Sequence, residues 1–425
     1  MKKLVYVLLS ALVLAGCSST PTPPPVPSPP TGPTNPTPPG PNPPPGPGTP
    51  TPPADDGRCA VQVTDDITIA TTWVNTPSNC DYEINGVLSV SNGQLTIEPG
   101  VLVRFGQDAY ISFSDAGSLY AVGTPQQRIV FEGASAVKGF GKGLYFRSGS
   151  YASRIDYADL RYLGKLDEGY YKFQNAAISG FNGGELSLTN STVSGSNFFG
   201  AELDRDSLVL TEFANNQFFD NAQEGLKVSA EVMPLLDAAT DYLGAAQPNG
   251  EPYILVGGFS AELGGETVWR NVGAPYTFTN LYLEYGSTTL EPGVEIVLQR
   301  GGHFVIEYGA LNALGTPAQP IIFRGANPGA GFWESIEFRE SEGVFDHVQI
   351  SGGGLASIVT NSSIDVDESI FTISNSSITD SANYGITCSG YSFSPASLTV
   401  AENVSFSNVE WDNYVYDEDC AFSGP

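Results

Sequence analysis

The segment Leu95-Thr-Ile-Glu-Pro-Gly-Val101 decides the fold, because the chain uses it twice. It returns 193 residues later as Thr288-Thr-Leu-Glu-Pro-Gly-Val294. The segment that follows, Ala121-Val-Gly-Thr-Pro-Gln-Gln-Arg-Ile-Val-Phe-Glu-Gly133, returns 192 residues later as Ala313-Leu-Gly-Thr-Pro-Ala-Gln-Pro-Ile-Ile-Phe-Arg-Gly325. Self-similarity at a fixed spacing indicates a duplicated structural unit. Residues 57–230 and 254–425 are therefore predicted to be two copies of one module, with 231–253 as the connection between them.

Each module reads as a series of short strands. Segments such as Val101-Leu-Val-Arg-Phe105 alternate between apolar and polar residues, and Gly, Asn, Asp or Ser interrupts them at short intervals. A weaker repeat places Asn190, Asn216, Asn375 and Asn403 before similar apolar residues. Asn tolerates the left-handed backbone conformation of tight turns, so these Asn predict corners that stack from one coil to the next. Three short strands in a period of about 25 residues are typical of a parallel β-helix.

The repeated Leu-Thr-Ile-Glu-Pro-Gly-Val and Gly-Thr-Pro segments resemble the bacterial right-handed parallel β-helix repeat proteins of the pectin-lyase-like superfamily. The resemblance covers nearly all of residues 60–425, twice. It implies an all-β solenoid of two tandem modules. It implies little about activity, since that superfamily contains lyases, hydrolases, epimerases, adhesins and scaffolds.

The N-terminus resembles the signal peptide of bacterial lipoproteins. Two lysines precede an apolar stretch that ends in Leu14-Ala15-Gly16-Cys17. The resemblance implies that residues 1–16 are removed and that Cys17 is acylated, which anchors the chain in a lipid bilayer of the cell envelope. Ser18 favours the outer membrane in a cell with two membranes. In a cell with one, the anchor would lie in the outer leaflet of the cytoplasmic membrane.

Residues 17–56 are predicted to be a linker that follows the lipidated cysteine. Positions 18–53 hold 19 of the 32 prolines and no charged residue. A tract of this composition cannot bury a core, and it favours an extended polyproline II conformation. The linker would hold the folded part away from the membrane.

The charge balance excludes one class of partner. The chain has 46 acidic and 18 basic residues, a net charge of −28, and removal of residues 1–16 takes away two further lysines to give −30. Nucleic acid requires neutralisation by Lys and Arg, so no nucleic acid partner is expected. With two histidines in the chain, there is little material for a histidine metal site or general base.

Four cysteines remain beyond Cys17, namely Cys59, Cys80, Cys388 and Cys420. Four cysteines allow three pairings. Their positions at the two ends of the repeat region favour Cys59–Cys80 and Cys388–Cys420, which would fasten the terminal coils in an oxidising compartment.

Acidic pairs are the candidates for metal binding. Asp204 and Asp206, like Asp365 and Asp367, alternate as residues on one side of a strand do, and carboxylates of this kind bind calcium. No cofactor is required by the sequence, and calcium is the ion that these pairs would suit. The catalytic motifs of the polygalacturonases and the alginate epimerases are absent, so no catalytic residue is assigned. The second module has His347 where the first has Tyr157. This difference favours an exposed position for His347 over a catalytic role.

One stretch departs from the acidic background. Residues 138–172 carry seven basic and four acidic side chains, with many aromatic residues between them. Aromatic faces beside Lys and Arg suit an anionic glycan or an acidic protein surface, whereas the same residues could simply cover the outside of a sheet. The candidate binding residues are Lys142, Tyr145, Arg147, Tyr157, Arg161, Tyr162, Tyr170, Tyr171 and Lys172.

Two functions fit these observations. The first is a non-catalytic binding or structural module of the cell envelope, which contacts envelope polysaccharide or another envelope protein. The second is a polysaccharide lyase or glycoside hydrolase with a carboxylate or calcium site on a β-helix face. The absence of recognised catalytic motifs favours the first.

Overall fold

Each sequence period folds into one coil of a right-handed parallel β-helix, with a strand on each of three faces. A computed structural model describes residues 59–147, 151–165, 175–181, 184–203, 208–356, 361–391, 394 and 396–424. The strands β1 to β38 are numbered in chain order, and those of each face pair in parallel with the strands of neighbouring coils. The predicted all-β solenoid is confirmed.

In the first half, residues 59–230, the faces contain the following strands. Face 1 contains β1 (Val61–Val63), β3 (Tyr82–Ile84), β6 (Leu102–Phe105), β9 (Ile129–Gly133), β12 (Ala158–Arg161), β15 (Thr192–Ser194) and β18 (Gln217–Phe219). Face 2 contains β4 (Val87–Ser91), β7 (Tyr110–Ser114), β10 (Gly143–Arg147), β13 (Ala176–Phe181), β16 (Phe199–Leu203) and β19 (Leu226–Ser229). Face 3 contains β2 (Thr71–Trp73), β5 (Gln94–Ile97), β8 (Ser118–Val122), β11 (Ser153–Asp156), β14 (Gly184–Thr189) and β17 (Leu208–Ala214).

In the second half, the faces are named by their equivalence to the first repeat. Face 1 contains β20 (Ile254–Gly257), the first parts of β23 (Tyr276–Glu284) and β25 (Glu295–Glu307), β27 (Ile321–Gly325), β30 (Val348–Ser351), β33 (Ser377–Ser381) and β36 (Ser405–Val409). Face 2 contains β21 (Ser260–Glu262), the later parts of β23 and β25, β28 (Ile336–Arg339), β31 (Ser362–Asp367), β34 (Tyr384–Ser389) and β37 (Tyr414–Tyr416). Face 3 contains β22 (Glu266–Trp269), β24 (Ser287–Leu290), β26 (Ala310–Leu314), β29 (Glu342–Asp346), β32 (Ile370–Ser374), β35 (Ala396–Val400) and β38 (Cys420–Ser423).

The core is a stack of apolar side chains that continues from coil to coil. Leu95 and Ile97 of the deciding segment point inward and are at most 1% exposed. Aromatic rings stack in the same way, with ring centroids 4.9 Å apart for Phe113 and Phe146. Each fully buried side chain of this size contributes about 1.5–3 kcal/mol, so coil-on-coil stacking stabilises the solenoid.

The repeated glycine of the Gly-Thr-Pro segment marks a close approach of two coils. A Cβ atom on Gly123 would lie 2.4 Å from the carbonyl oxygen of Tyr157 in the next coil. A Cβ atom on Gly315 would lie 2.5 Å from the carbonyl oxygen of His347. Only glycine fits at such a contact, so both copies of the segment keep it for the same steric reason.

The two halves join through an unbroken strand ladder. β19 pairs with β20, Leu226 facing Ile254, and β20 pairs with the first part of β23. Between them, residues 230–253 make one 3-10 turn, Met233–Leu235, and its Met233 is fully buried. The face 2 ladder of the first half therefore leads into the face 1 ladder of the second half.

Two disulfides fasten the ends of the solenoid. Cys59 bonds to Cys80 beside the first coil, and Cys388 of β34 bonds to Cys420 of β38 in the last coil. The predicted pairing is confirmed. Disulfides that close loops of this size stabilise a fold by about 2–4 kcal/mol.

Candidate functional site

The basic and aromatic stretch of the first half is divided between faces. Among its described members, Tyr145 and Arg147 lie on β10 of face 2, and Lys142 directly precedes that strand. Tyr157 lies at the corner between β11 and β12, whereas Arg161 and Tyr162 lie at the end of face 1. Tyr170, Tyr171 and Lys172 lie outside the described residues, so the prediction for them stands as made.

Ion pairs with neighbouring coils neutralise much of this stretch. Arg161 donates to Glu132 at 2.7 Å, and Lys165 Nζ lies 2.5 Å from Asp108 Oδ1. Tyr145 is 8% exposed, and burial raises the pKa of its hydroxyl to about 12. The described members are therefore divided between faces and partly paired with carboxylates, and their role in binding stays a prediction.

The structure describes one of the two acidic pairs that the sequence offers as metal ligands. Asp204 and Asp206 lie outside the described residues. Asp365 and Asp367 lie on β31 and alternate as predicted, and the register places Asp365 beside Glu337 and Asp367 beside Arg339 of β28. Within the described part of the chain, no three His, Cys, Asp or Glu side chains are arranged to hold a metal ion.

A cluster of charged and polar groups, of which His303 and Glu337 are buried, surrounds Asp365. We call it the face 2 site and define it as His303, Glu337, Arg339 and Asp365. Three neighbouring strands supply it, because β25 pairs with β28 and β28 pairs with β31. Glu337 and Arg339 occupy alternate positions to the inward-pointing Ile336 and Phe338, so their side chains lie on the outer side of the sheet.

Glu337 is the centre of the site and is 2% exposed. Arg339 Nη2 donates to Oε2 at 2.9 Å, and Arg339 Nε donates to Oε1. His303 Nε2 lies 2.6 Å from Oε2, although its N–H is not aligned as in a well-formed hydrogen bond. Burial alone would raise the pKa of Glu337, but the contacts from His303 and Arg339 outweigh it and lower the pKa. Glu337 is therefore ionised.

Asp365 has the opposite environment. Burial raises its pKa to about 6, and the charges of Glu337 and Asp367 act in the same direction. The Thr387 hydroxyl donates to Oδ1 at 2.8 Å and opposes this rise. Two carboxyl groups on neighbouring strands thus differ in protonation near pH 6, one being an anion and the other a proton donor. Pairs of this kind are characteristic of acid–base sites.

Further polar groups border the site. Arg339 Cζ lies 5.8 Å from the centre of the Tyr282 ring, and Glu334 Oε2 lies 3.9 Å from His303 Nδ1. Ser335, adjacent in register to His303, is fully buried and its hydroxyl has no hydrogen-bond partner. A buried hydroxyl without a partner is costly for a fold, which makes Ser335 a candidate ligand contact.

His347 belongs to a separate polar group at the corner between faces 3 and 1. Its Nδ1 lies 3.0 Å from Asp346 Oδ2, and the Asp346 carboxylate also accepts hydrogen bonds from Ser374 and Asn375. These hydrogen bonds, that from Asn375 foremost, lower the pKa of Asp346. His347 therefore completes a corner network and makes no contact with the face 2 site.

Sequence reasoning missed three members of the site. They are His303, Glu337 and Arg339, and the repeat aligns Glu337 with Tyr145. This exchange of a neutral side chain for a carboxylate was the available signal. The register that brings His303 to Glu337 depends on loops of unequal length, which the sequence does not specify.

Comparison with known proteins identifies the N-terminus. Residues 1–18 match the family model of the prokaryotic membrane lipoprotein lipid attachment site. Among the described residues, no helix has the length and apolarity needed to span a bilayer. No curated protein matches the chain.

Two solved structures resemble the chain at low identity. They are the periplasmic alginate epimerase AlgG, with 9% identity and a TM-score of 0.21, and a double mutant of AlgG, with 8% identity and a TM-score of 0.22. Each match covers 81% of this chain and 77% of the other. Likeness at this level says nothing about activity. The chain thus combines a lipoprotein attachment site with a right-handed parallel β-helix.

Proposed function

We propose that this protein is a membrane-anchored, non-catalytic binding module of the cell envelope, which holds a glycan on face 2 of its second half. One observation carries the proposal. Glu337 is buried on the outer side of a sheet, held by Arg339 and His303, beside the protonatable Asp365. Outward positions of a solenoid usually carry solvated side chains, so a buried cluster of this kind favours a ligand site.

The ladder geometry suits an extended ligand. Neighbouring strands of a sheet lie about 4.7–4.9 Å apart, so outward side chains recur at that spacing. Donors and acceptors from β23, β25, β28, β31 and β34 would therefore meet successive hydroxyl groups of a sugar polymer. The lipid anchor would keep the site near the envelope, and Ser18 supports the outer membrane as its location in a cell with two membranes.

Binding of a glycan panel to the full mature chain in detergent tests the proposal. Isothermal titration should detect at least one glycan, and Asp365→Asn and Arg339→Gln should each weaken it by about tenfold, the effect of losing one charge-assisted hydrogen bond. Tyr145→Phe, at the equivalent position of the first half, is the matched control. Absence of binding to every glycan, or equal loss in the Tyr145 variant, would contradict the proposal.

The same site supports a second candidate, cleavage of the bound glycan. A protonated Asp365 beside an ionised Glu337 is the arrangement by which glycoside hydrolases divide acid and base roles. Reducing ends should then accumulate fastest near pH 6, with or without calcium, and Asp365→Asn should abolish their release. Binding without any product, in either condition, would leave the non-catalytic function.

A further inference from the structure

The corner between faces 2 and 3 of the second half carries an unusual column of residues. Tyr285, Tyr308, Glu340 and Glu368 directly follow β23, β25, β28 and β31, and their φ angles are 51°, 55°, 43° and 48°. The amide of Tyr308 donates to the carbonyl of Arg339 at 3.1 Å, and that of Glu340 donates to the carbonyl of Asp367 at 3.2 Å. The four residues therefore form one stacked column immediately beside the face 2 site.

The first half shows which residues this corner prefers. The repeat spacing of 193 residues aligns Asn92 with Tyr285 and Asp115 with Tyr308. Asn92 and Asp115 have φ angles of 55° and 52°, the same left-handed conformation. Asn and Asp adopt it readily because their short polar side chains bond locally, whereas Tyr has no such compensation. Two successive corners of the second half thus hold the less suitable residue.

The presence of Tyr instead of Asn or Asp at these corners adds little to the packing of the core. Tyr285 and Tyr308 are 53% and 46% exposed, so neither ring serves the core. The rings stack on each other, with centroids 5.4 Å apart and planes within 15°. An exposed, stacked aromatic pair with no role in the core indicates a surface kept for a ligand.

A groove adjoins Tyr308 and has an acidic lining. It is shallow and largely open to solvent, with a volume of about 410 Å³, and Ile370 and Tyr308 supply its apolar side chains. Every titratable side chain that lines it, apart from Tyr308, is a carboxylate, namely Glu340, Glu342 and Glu368. The carboxylates of Glu340 and Glu307 also raise the pKa of the Tyr308 hydroxyl. The groove therefore repels anions.

We infer that the Tyr285–Tyr308 stack and its groove form a subsite for a protonated amino sugar, and that the glycan held on face 2 is an amine-bearing polymer. This inference rests on the proposed function. An aromatic face receives the apolar face of a sugar ring and attracts an ammonium group, and the carboxylates add direct charge complementarity. A polyuronate would meet like charges along this groove.

The experiment compares three oligosaccharides of equal length on the full mature chain in detergent. The probes are hexaglucosamine, its N-acetylated form and hexagalacturonate, at a mildly acid pH that keeps the amines protonated. We expect hexaglucosamine to bind about tenfold more tightly than the N-acetylated form, the effect of one ammonium–aromatic contact with its counter-charge, and hexagalacturonate not to bind.

The variant Tyr285→Asn/Tyr308→Asn should lose about tenfold in affinity for hexaglucosamine. Asn suits the left-handed corner, as Asn92 does in the first half, so unchanged thermal unfolding should accompany the loss. Tyr120→Asn, at an exposed tyrosine of face 3 in the first half, is the control and should keep full affinity.

The outcomes separate the inference from the function on which it rests. Binding of the neutral or uronate probe with equal affinity, or full affinity of the double variant, overturns the amino-sugar subsite while the loss in Asp365→Asn still supports glycan binding. Failure of every glycan in the wider panel to bind overturns the proposed function and the subsite together.

Discussion

At the scale of single residues, the face 2 site shows how a folded sheet accommodates two neighbouring carboxyl groups. Glu337 stays ionised because Arg339 and His303 surround it, and Asp365 avoids a second negative charge by holding its proton up to about pH 6. The charge of Glu337 and the protonation of Asp365 depend on each other, since removing a partner from a buried charge is costly. The site is thus a coupled unit.

The pH dependence of stability should reveal Asp365. Its pKa of about 6 in the folded chain exceeds the value of about 3.9 expected when unfolded. The folded state therefore binds more protons between these values, and the free energy of unfolding should fall as the pH rises from about 4 to 6. Asp365→Asn should remove this fall and stabilise the chain by roughly 2 kcal/mol at pH 7.5. Urea unfolding at several pH values measures it, and an unchanged pH profile in the variant would refute it.

The sequence revealed part of the site. Asp365 and Asp367 were found because strand alternation places both on one side, which depends only on local geometry. Glu337 and His303 could not be placed, since 34 residues separate them whereas 28 separate Glu337 from Asp365. Contacts between coils depend on loop length and register, which alternation does not determine.

At the scale of elements, the corners follow the prediction with one adjustment. Asn190, Asn375 and Asn403 have left-handed φ angles of 48°, 47° and 59°, and Asn403 Nδ2 donates to Asn375 Oδ1 at 2.8 Å. The predicted stacking of corner Asn is thereby confirmed in the second half. In the first half, Asn215 rather than Asn216 takes the left-handed conformation, while Asn216 is buried and accepts from the Ser191 amide at 3.0 Å.

The packing of β29 gives a test at this scale. A Cβ atom on Gly343 would lie 2.4 Å from Phe371 and 2.6 Å from Phe338, both core residues. Gly343→Ala should therefore overpack the core and destabilise the chain by about 1–3 kcal/mol in urea unfolding. Gly264→Ala is the control, because a Cβ atom there meets nothing within 4 Å. Equal stability of the two variants would contradict the packing argument.

At the scale of the whole molecule, the duplicated segments were sufficient to predict a β-helix, since each copy fixes strands, corners and inward side chains together. The join between the halves was left open by the sequence, which contains no pattern for register across 231–253. The structure makes the ladder continuous through β19 and β20. The described residues from Cys59 to Gly424 accordingly belong to one compact unit.

The prediction at the scale of the whole molecule concerns the lipid anchor at Cys17. Cys17→Ser removes the thiol that would be acylated, while the folded region is unchanged. The variant should move from the membrane fraction to the soluble fraction of lysed cells and keep the thermal unfolding temperature of the wild type. Retention of the variant in the membrane fraction after a high-salt wash would show that another part of the chain binds the membrane.

The shift of ladders at the join separates positions that the repeat makes equivalent. Because face 2 of the first half continues as face 1 of the second, Tyr145 and Glu337 occupy equivalent repeat positions but belong to different ladders. The carboxylates around Glu337 therefore do not extend a column that begins at Tyr145, and a substitution at one of the two positions leaves the strands that pair with the other unchanged.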